Sequence, residues 1–387
     1  MISYGKQSII SSDIDSVVSI LKSDWLTQGP SVERFEDDLK KYFGSDYACA
    51  VSNGTAALHL AGLALDWGDG DVVLTSPLSF LSTANAIIYT GATPDFVDID
   101  PVSYTIDLNQ LEDKIKYYIY KNKKIKAIIG VDYAGHPCDW VSLKSLSEKY
   151  DIKLVNDNCH ALGASLFNKK NYAIKHADIV IQSYHPVKHI TTGEGGALMT
   201  NNLELADKVK KLRSHGMTKN SLELERKDGP WYYEMHEVGY NYRITDFQCG
   251  LGSAQLKRLD EFIIKRQKIA KKYSKKFSSK NNIIIPKTKR NYGHAFHLYP
   301  LQVDFNKIKK NKIQFFKLMK NAGILLQVHY FPIHLQPYYK KMFGFKVGDF
   351  PISEDFYKKE ISLPIYPSLT DNDQGLVINS ILKNLND

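Results

Sequence analysis

One lysine, Lys188, stands in the run "SYHPVKHITTGEGG", after an apolar stretch and before a turn of threonines and glycines. A P-loop places its lysine behind the glycine turn, in the order G-x-x-x-x-G-K-[ST], so that backbone N–H groups and ammonium converge on one phosphate chain. Here the lysine comes first, which excludes that arrangement. Two uses remain. Lys188 is either a solvated surface cation, the common fate of lysines, or a partly desolvated amine with a lowered pKa, able to act as nucleophile or base. Ser183, five residues earlier, ends the apolar run "DIVIQS", and His185 lies between the two.

Three other groups bear on the choice. In "SNGTAALHL" a turn precedes a helical pattern, and the free N–H groups and positive end of such a helix attract anions. Gly54 permits close approach and Thr55 adds a hydroxyl, although Ser52 and Asn53 read equally well as ordinary helix caps. Asp157 closes the apolar run "IKLVND", where an unpaired carboxylate is costly and calls for a cationic or hydrogen-bonding partner; a helix cap or structural ion pair serves as well as a protonated ring nitrogen. Phe80, shortly after "DVVLTS", offers an aromatic face. A phosphate cradle, a carboxylate for a ring nitrogen, a stacking ring and an amine make up the parts of a pyridoxal phosphate site.

These groups need elements to bring them together. From about Tyr47 to Thr200 short β-branched runs alternate with helical patterns, which predicts an α/β domain with a largely parallel sheet. "DVVLTS", "KAIIGVDY", "IKLVND", "DIVIQS" and "GGALMT" read as strands, and "TAALHLAGLAL" and "WVSLKSLSEKY" as helices. Ligands gather at the carboxyl ends of parallel strands, where Asp157, Ser183 and Phe80 are expected. Beyond about residue 246 the texture changes to one long lysine-rich helix, an aromatic strand in "GHAFHLYPLQV", a further helix and the Pro/Tyr-rich "VHYFPIHLQPYY". The expected division is a large domain over 1–245, including an N-terminal arm, and a smaller α+β domain over 246–387.

Bulk properties narrow the classes. The chain has 387 residues, 43% of them hydrophobic and 24% charged, as in ordinary globular proteins. Neither a leader pattern nor a run of about 20 apolar residues is present, so a cytoplasmic protein without membrane spans is expected. Cys49, Cys138, Cys159 and Cys249 lack C-x-x-C spacing and form neither a disulfide framework nor a metal site. A net charge of +9 admits a nucleic-acid-binding regulator. Its lysine runs carry no nucleic-acid motif, however, and an anionic small substrate fits the charge equally well.

With "WLTQGPSVERFE", "SNGTAALHLAGLAL", "TSPLSFLSTANAI", "VNDNCHALGA", "SYHPVKHITTGEGG", "GYNYRITDFQCGLGSAQL" and "EISLPIYPSLTD" in this order, the chain resembles the DegT-type sugar aminotransferases along nearly its whole length. The resemblance implies fold type I, the aspartate aminotransferase-like α/β fold. It also implies pyridoxal phosphate bound covalently by Lys188, with pyridoxamine phosphate as the alternate form. Asp157 would pair with the ring nitrogen, Phe80 would stack on the ring, His160 would lie beside it, and Gly54, Thr55 and Ser183 would hold the phosphate. Asn241 and Arg243 would reach that phosphate from a second subunit, making a homodimer. Tyr4, Gln28, His185, His329 and Tyr330 are the implied sugar contacts. "VDYAGHP", "LRSHGM", "HLYPL" and "QVHYFPIH" are similar to family members of the pseudaminic acid pathway. Those move the amino group of L-glutamate to C4 of a UDP-linked 4-keto-6-deoxy-N-acetylhexosamine. A C3 or dTDP-linked sugar is the alternative within the family. A pyridoxamine-dependent dehydratase would replace the lysine with histidine. Asn158 and Cys159 depart from the small residues usual beside the aspartate.

Overall fold

The computed structural model describes residues 1–226 and 228–386. Its centre is a sheet of seven strands: β1 (Tyr47–Val51), β2 (Val72–Thr75), β3 (Thr93–Phe96), β4 (Ile125–Val131), β5 (Lys153–Asp157), β6 (Ile179–Ser183) and β7 (Gly196–Thr200). They lie in the order β1-β7-β6-β5-β4-β2-β3, and β7 alone runs against the others. The five expected strands are all present. Two more, β1 and β3, close the edges, and β3 carries Pro94 where an edge strand tolerates a missing donor.

Neighbouring residues of the inner strands go to opposite layers. Ile128, Val180 and Met199 join one apolar cluster and Ile129, Ile181 and Leu198 the other, so both faces of the sheet are covered, as parallel sheets require. The covering helices include α1 (Ser11–Leu21), α2 (Pro30–Phe43), α3 (Gly54–Ala64), α4 (Leu81–Tyr89) and α5 (Trp140–Tyr150), the last over the span the periodicity predicts.

The expected single long helix is two: α6 (Asp246–Leu256) and α7 (Leu259–Phe277). Asp13, buried on α1, accepts hydrogen bonds from Gln255 at 2.8 Å and Arg258 at 2.9 Å, and these two anchors hold the chain in a turn between the helices. A tertiary contact thus interrupts a locally continuous pattern. The aromatic segment is likewise interrupted: Gly293 belongs to a separate short strand, Tyr292–Gly293, and the longer strand covers Tyr299–Val303, with the buried His294 and His297 between them.

A second sheet, β8 (Ile283–Ile284), β9 (Tyr299–Val303) and β10 (Glu360–Leu363), is antiparallel and packs with α7, α8 (Lys312–Asn321) and α9 (Asp371–Asn386). Its core holds Tyr273, Phe277, Leu301, Phe315, Ile361 and Ile381, together with Ile2 from the N-terminal arm. Cys249, Leu259 and Phe262 belong instead to the core of the large sheet. Packing therefore passes from one core to the other within α7, beyond the expected division at residue 246. No helix among the described residues is long and apolar enough to cross a membrane.

Candidate active site

The carboxyl ends of the parallel strands open on a cavity of about 950 Å³. Asp157 closes β5, Ser183 closes β6, and α3 and α4 begin beside them. The cavity is lined by Gly54, Thr55, Phe80, Asp157, His160, Ser183 and Lys188, and also by Tyr4, His185, His329 and Tyr330.

At the start of α3 the cap reading holds, and it leaves other N–H groups free for an anion. Asn53 Oδ1 accepts from the Ala56 N–H at 2.8 Å, leaving the first two helical residues, Gly54 and Thr55, to face the cavity. A Cβ on Gly54 would come within 2.9 Å of the Ser183 Cβ, so glycine is what lets the helix start and the strand end share one pocket.

Asp157 is 5% exposed. Thr83, on the first turn of α4, donates to its Oδ2 at 2.7 Å, and Thr83 is itself hydrogen-bonded to Ser79 at 2.7 Å. The Cys159 N–H approaches Oδ1 at 3.3 Å. Lys188 follows a turn closed by its own N–H onto His185 O at 2.8 Å. Desolvation lowers its ammonium pKa below the ordinary lysine value, opposed by the Asp157 charge. An amine so placed is more readily neutral than one in water.

Phe80, the residue before α4, is 54% exposed and has its ring centroid 5.9 Å from that of Tyr330. Tyr330 Oη lies 3.1 Å from His160 Nε2, while the Ala134 N–H points at His160 Nδ1 at 3.4 Å. Burial holds His160 far below the ordinary imidazole pKa, so it is neutral, and the Ala134 donor leaves its proton on Nε2, facing Tyr330. Tyr4 packs its ring 5.1 Å from His329.

Three expected residues do not line this cavity. Gln28 and Arg243 share a second cleft of about 310 Å³ with Lys210 and Arg213. Asn241 is held beside it by a bridge to Ser214. Gln28, expected as a sugar contact, stands away from this cavity because Asp246 accepts from the Gly29 N–H at 2.8 Å and the Ser31 N–H at 2.9 Å, which draws the loop to the start of α6.

Of the two unusual neighbours of Asp157, only Cys159 faces the cavity, and burial raises its thiol far above the ordinary value, so it stays protonated. Asn158 turns away to donate to Asp132 and Tyr172, both at 2.8 Å, and is not among the residues that line the cavity. The sequence reading missed Thr83, Tyr242, Glu194, Gln327 and His297. Thr83 lies inside a quoted motif, one helical turn past Phe80, where a hydroxyl pattern hints at it; for Tyr242, Gln327 and His297, only the folded chain shows that they line the site.

Residues 7–382 match the model of the DegT/DnrJ/EryC1/StrS aminotransferase family. The chain belongs to that family. It is 39% identical over 382 residues to the UDP-4-amino-4,6-dideoxy-N-acetyl-beta-L-altrosamine transaminase of Campylobacter jejuni, covering 98% of this chain and 96% of the relative. The structure of Helicobacter pylori PseC, an aminotransferase involved in the biosynthesis of pseudoaminic acid, superposes with a TM-score of 0.89 at 32% identity over 100% of this chain and 99% of the other. A Streptococcus pneumoniae protein described as a sugar aminotransferase and solved in its PMP form gives 0.90 at 28% identity over 99% and 98%. The fold is therefore fold type I, and the DegT-family chain is a sugar aminotransferase that uses pyridoxal phosphate. The cavity fits that cofactor: a helix start for the phosphate, a pinned carboxylate for the ring nitrogen, an aromatic face and a desolvated lysine open on one space.

Proposed function

We propose that this chain moves the amino group of L-glutamate to the C4 keto carbon of a UDP-linked 4-keto-6-deoxy-N-acetylhexosamine, working as a homodimer. The observation that carries the reaction is the meeting of Lys188, Asp157 and the α3 start in one cavity. The sugar assignment is supported by the transaminase from Campylobacter jejuni, whose name states both UDP and the 4-amino product. The cavity's 950 Å³ or so leaves room for a nucleotide sugar beside the cofactor.

Pyridoxal phosphate, when bound, supplies a carbonyl carbon that carries the amino group and a ring that takes up the electrons released at the reacting carbon. The side chains do the rest. Gly54, Thr55 and Ser183 would hold the phosphate, Lys188 would hold the carbonyl carbon at rest, and Phe80 would stack on the ring. Asp157, fixed by Thr83, keeps a proton on the ring nitrogen by its charge. Once displaced, the neutral Lys188 amine takes the proton from the glutamate α-carbon; in the second half of the cycle it delivers one to C4 of the sugar. Tyr4, His185, His329 and Tyr330 hold the sugar.

The dimer is supported by a shortage of cations. Lys188 is the one lysine or arginine lining the cavity among the described residues, yet a phosphate and the substrate's carboxylates must bind there. Asn241, Arg243 and Gln28, gathered at the second cleft, would complete a second copy's site. Mixing inactive Lys188→Ala and Arg243→Ala variants tests this: hybrid dimers keep one intact site, so activity reappears, and a mixture that stays dead removes the shared site.

The reaction is tested on purified protein. It should be yellow, borohydride should fix the cofactor on the peptide containing Lys188, and glutamate should bleach the colour. UDP- and dTDP-linked 3-keto and 4-keto sugars are then offered and the products read by NMR. Amination of only a 3-keto or only a dTDP-linked sugar would overturn the sugar assignment.

A further inference from the structure

Beside the cavity lies a chain of polar groups that transamination, as described above, leaves without a task. His329 lines the cavity. Its Nδ1 is 2.7 Å from Ser362 Oγ, and that oxygen is 2.5 Å from Glu360 Oε1. The His329 backbone N–H donates to the other carboxyl oxygen, Oε2, at 3.0 Å, and Tyr133 donates its hydroxyl to the His329 carbonyl. Ser362 and Glu360 sit fully buried on β10.

A buried carboxyl group on a strand is costly to keep without a purpose or a partner. Burial raises the Glu360 pKa and lowers that of Lys312 on α8, each charge opposing the shift of the other. The geometry sets the direction of the bonds. Both oxygens of Glu360 accept, Oε1 from the Ser362 hydroxyl at 2.5 Å and Oε2 from the His329 N–H, which is the pattern of a carboxylate held by two donors. With its proton committed to Glu360, the Ser362 oxygen has only lone pairs to offer Nδ1, so Nδ1 must bear the hydrogen. The imidazole is neutral, since burial pulls its pKa down to about 3, and its Nε2 is then a bare acceptor.

We propose that Glu360 and Ser362 are positioning residues that lock His329 in the Nδ1–H tautomer, so that Nε2 accepts a hydrogen bond from a hydroxyl group of the sugar substrate. This rests on the sugar-aminotransferase reading of the cavity. An acceptor lone pair suits a sugar O–H and repels the carboxylates of glutamate. The pair therefore discriminates between the two substrates that take turns in one site.

The test begins with holoenzyme labelled with 15N-histidine, in which long-range proton–nitrogen NMR distinguishes protonated from bare ring nitrogens and His329→Gln identifies the signal. The expected result is a bare Nε2 in the wild type. Ser362→Ala removes the acceptor and should move the proton to Nε2, raising KM for the keto sugar about tenfold, more than KM for glutamate, with little change in kcat. A protonated Nε2 in the wild type overturns the proposal; it is also what a neutral Glu360, passing its proton through Ser362, would produce. So does a Ser362→Ala enzyme with unchanged tautomer and unchanged sugar KM. If that variant does not fold, the wild-type tautomer alone decides. The tautomer is read without sugar, so a failed sugar assignment and a failed relay give different results.

Discussion

Asp157 would sit closer to the electron flow than any group but Lys188, and its behaviour depends on a neighbour of no chemical reactivity. Thr83 fixes one carboxylate oxygen at 2.7 Å, and Ser79 in turn fixes Thr83. Thr83→Val keeps the shape and removes the donor. A hydrogen bond to a charged group contributes about 1.5–3 kcal/mol, so kcat should fall roughly 10- to 100-fold while the protein still binds its cofactor. Stopped-flow measurement of the glutamate half-reaction checks this; an unchanged rate would mean that Asp157 is held by something else. Lys188 shows a second residue-scale effect. Burial lowers its pKa, so its neutral form is present at lower pH than for a solvated lysine, and the rate of that half-reaction should level off below the ordinary lysine pKa as pH rises.

Elements place these side chains by close approach. The strand β7 starts at Gly196, where a Cβ would lie 2.5 Å from the carbonyl of Asn53, the cap of α3. The glycines after Lys188 thus do two tasks: Gly193 turns the chain with φ +82°, and Gly196 lets the next strand pass against the helix start. Gly196→Ala should push that start away from the cavity, and dialysis should strip the cofactor from the variant faster than from the wild type, as followed by loss of the yellow colour. The start of α2 depends on a side chain more than 200 positions away, since Asp246 accepts from both Gly29 and Ser31. Asp246→Ala should cost about 1–2 kcal/mol, read as a lower denaturation midpoint in urea. A midpoint within error of the wild type would show that the cap contributes nothing.

For the molecule as a whole, pH should matter through buried imidazoles. Desolvation lowers His136 to about 4 and His329 to about 3, and pulls His160, His189, His294 and His297 down as well. The unfolded chain binds protons at these residues near pH 6.5 and the folded chain does not, so stability is lost as pH falls below that value. The slope is at most about 1.4 kcal/mol per pH unit for each imidazole. Asp132, raised to about 6 by burial, acts the other way, because the folded state holds its proton more tightly. Six groups against one predict a clear net loss between pH 7 and pH 5. Urea midpoints across that range decide it, and a flat profile would show that these histidines stay solvated.

Much of this could be read from residue types in order. Near-continuous apolar runs broken by helical patterns demand a sheet covered on both faces, and the strand ends then place Asp157, Ser183 and the α3 start together, because the carboxyl ends of parallel strands lie on one side. Local chemistry therefore determined the class of fold, the chief polar groups of the site and the family resemblance. Only tertiary packing decided what depends on residues far apart in the chain. The anchors of Asp13 split one helical pattern into two. Asn158 turned from the cavity and Cys159 faced it, a choice made by the partners Asp132 and Tyr172. Gln28 went to Arg243 rather than to Lys188. A side chain's neighbours in sequence determine its element, but its hydrogen-bond partners come from other elements, and these partners determine which way it points.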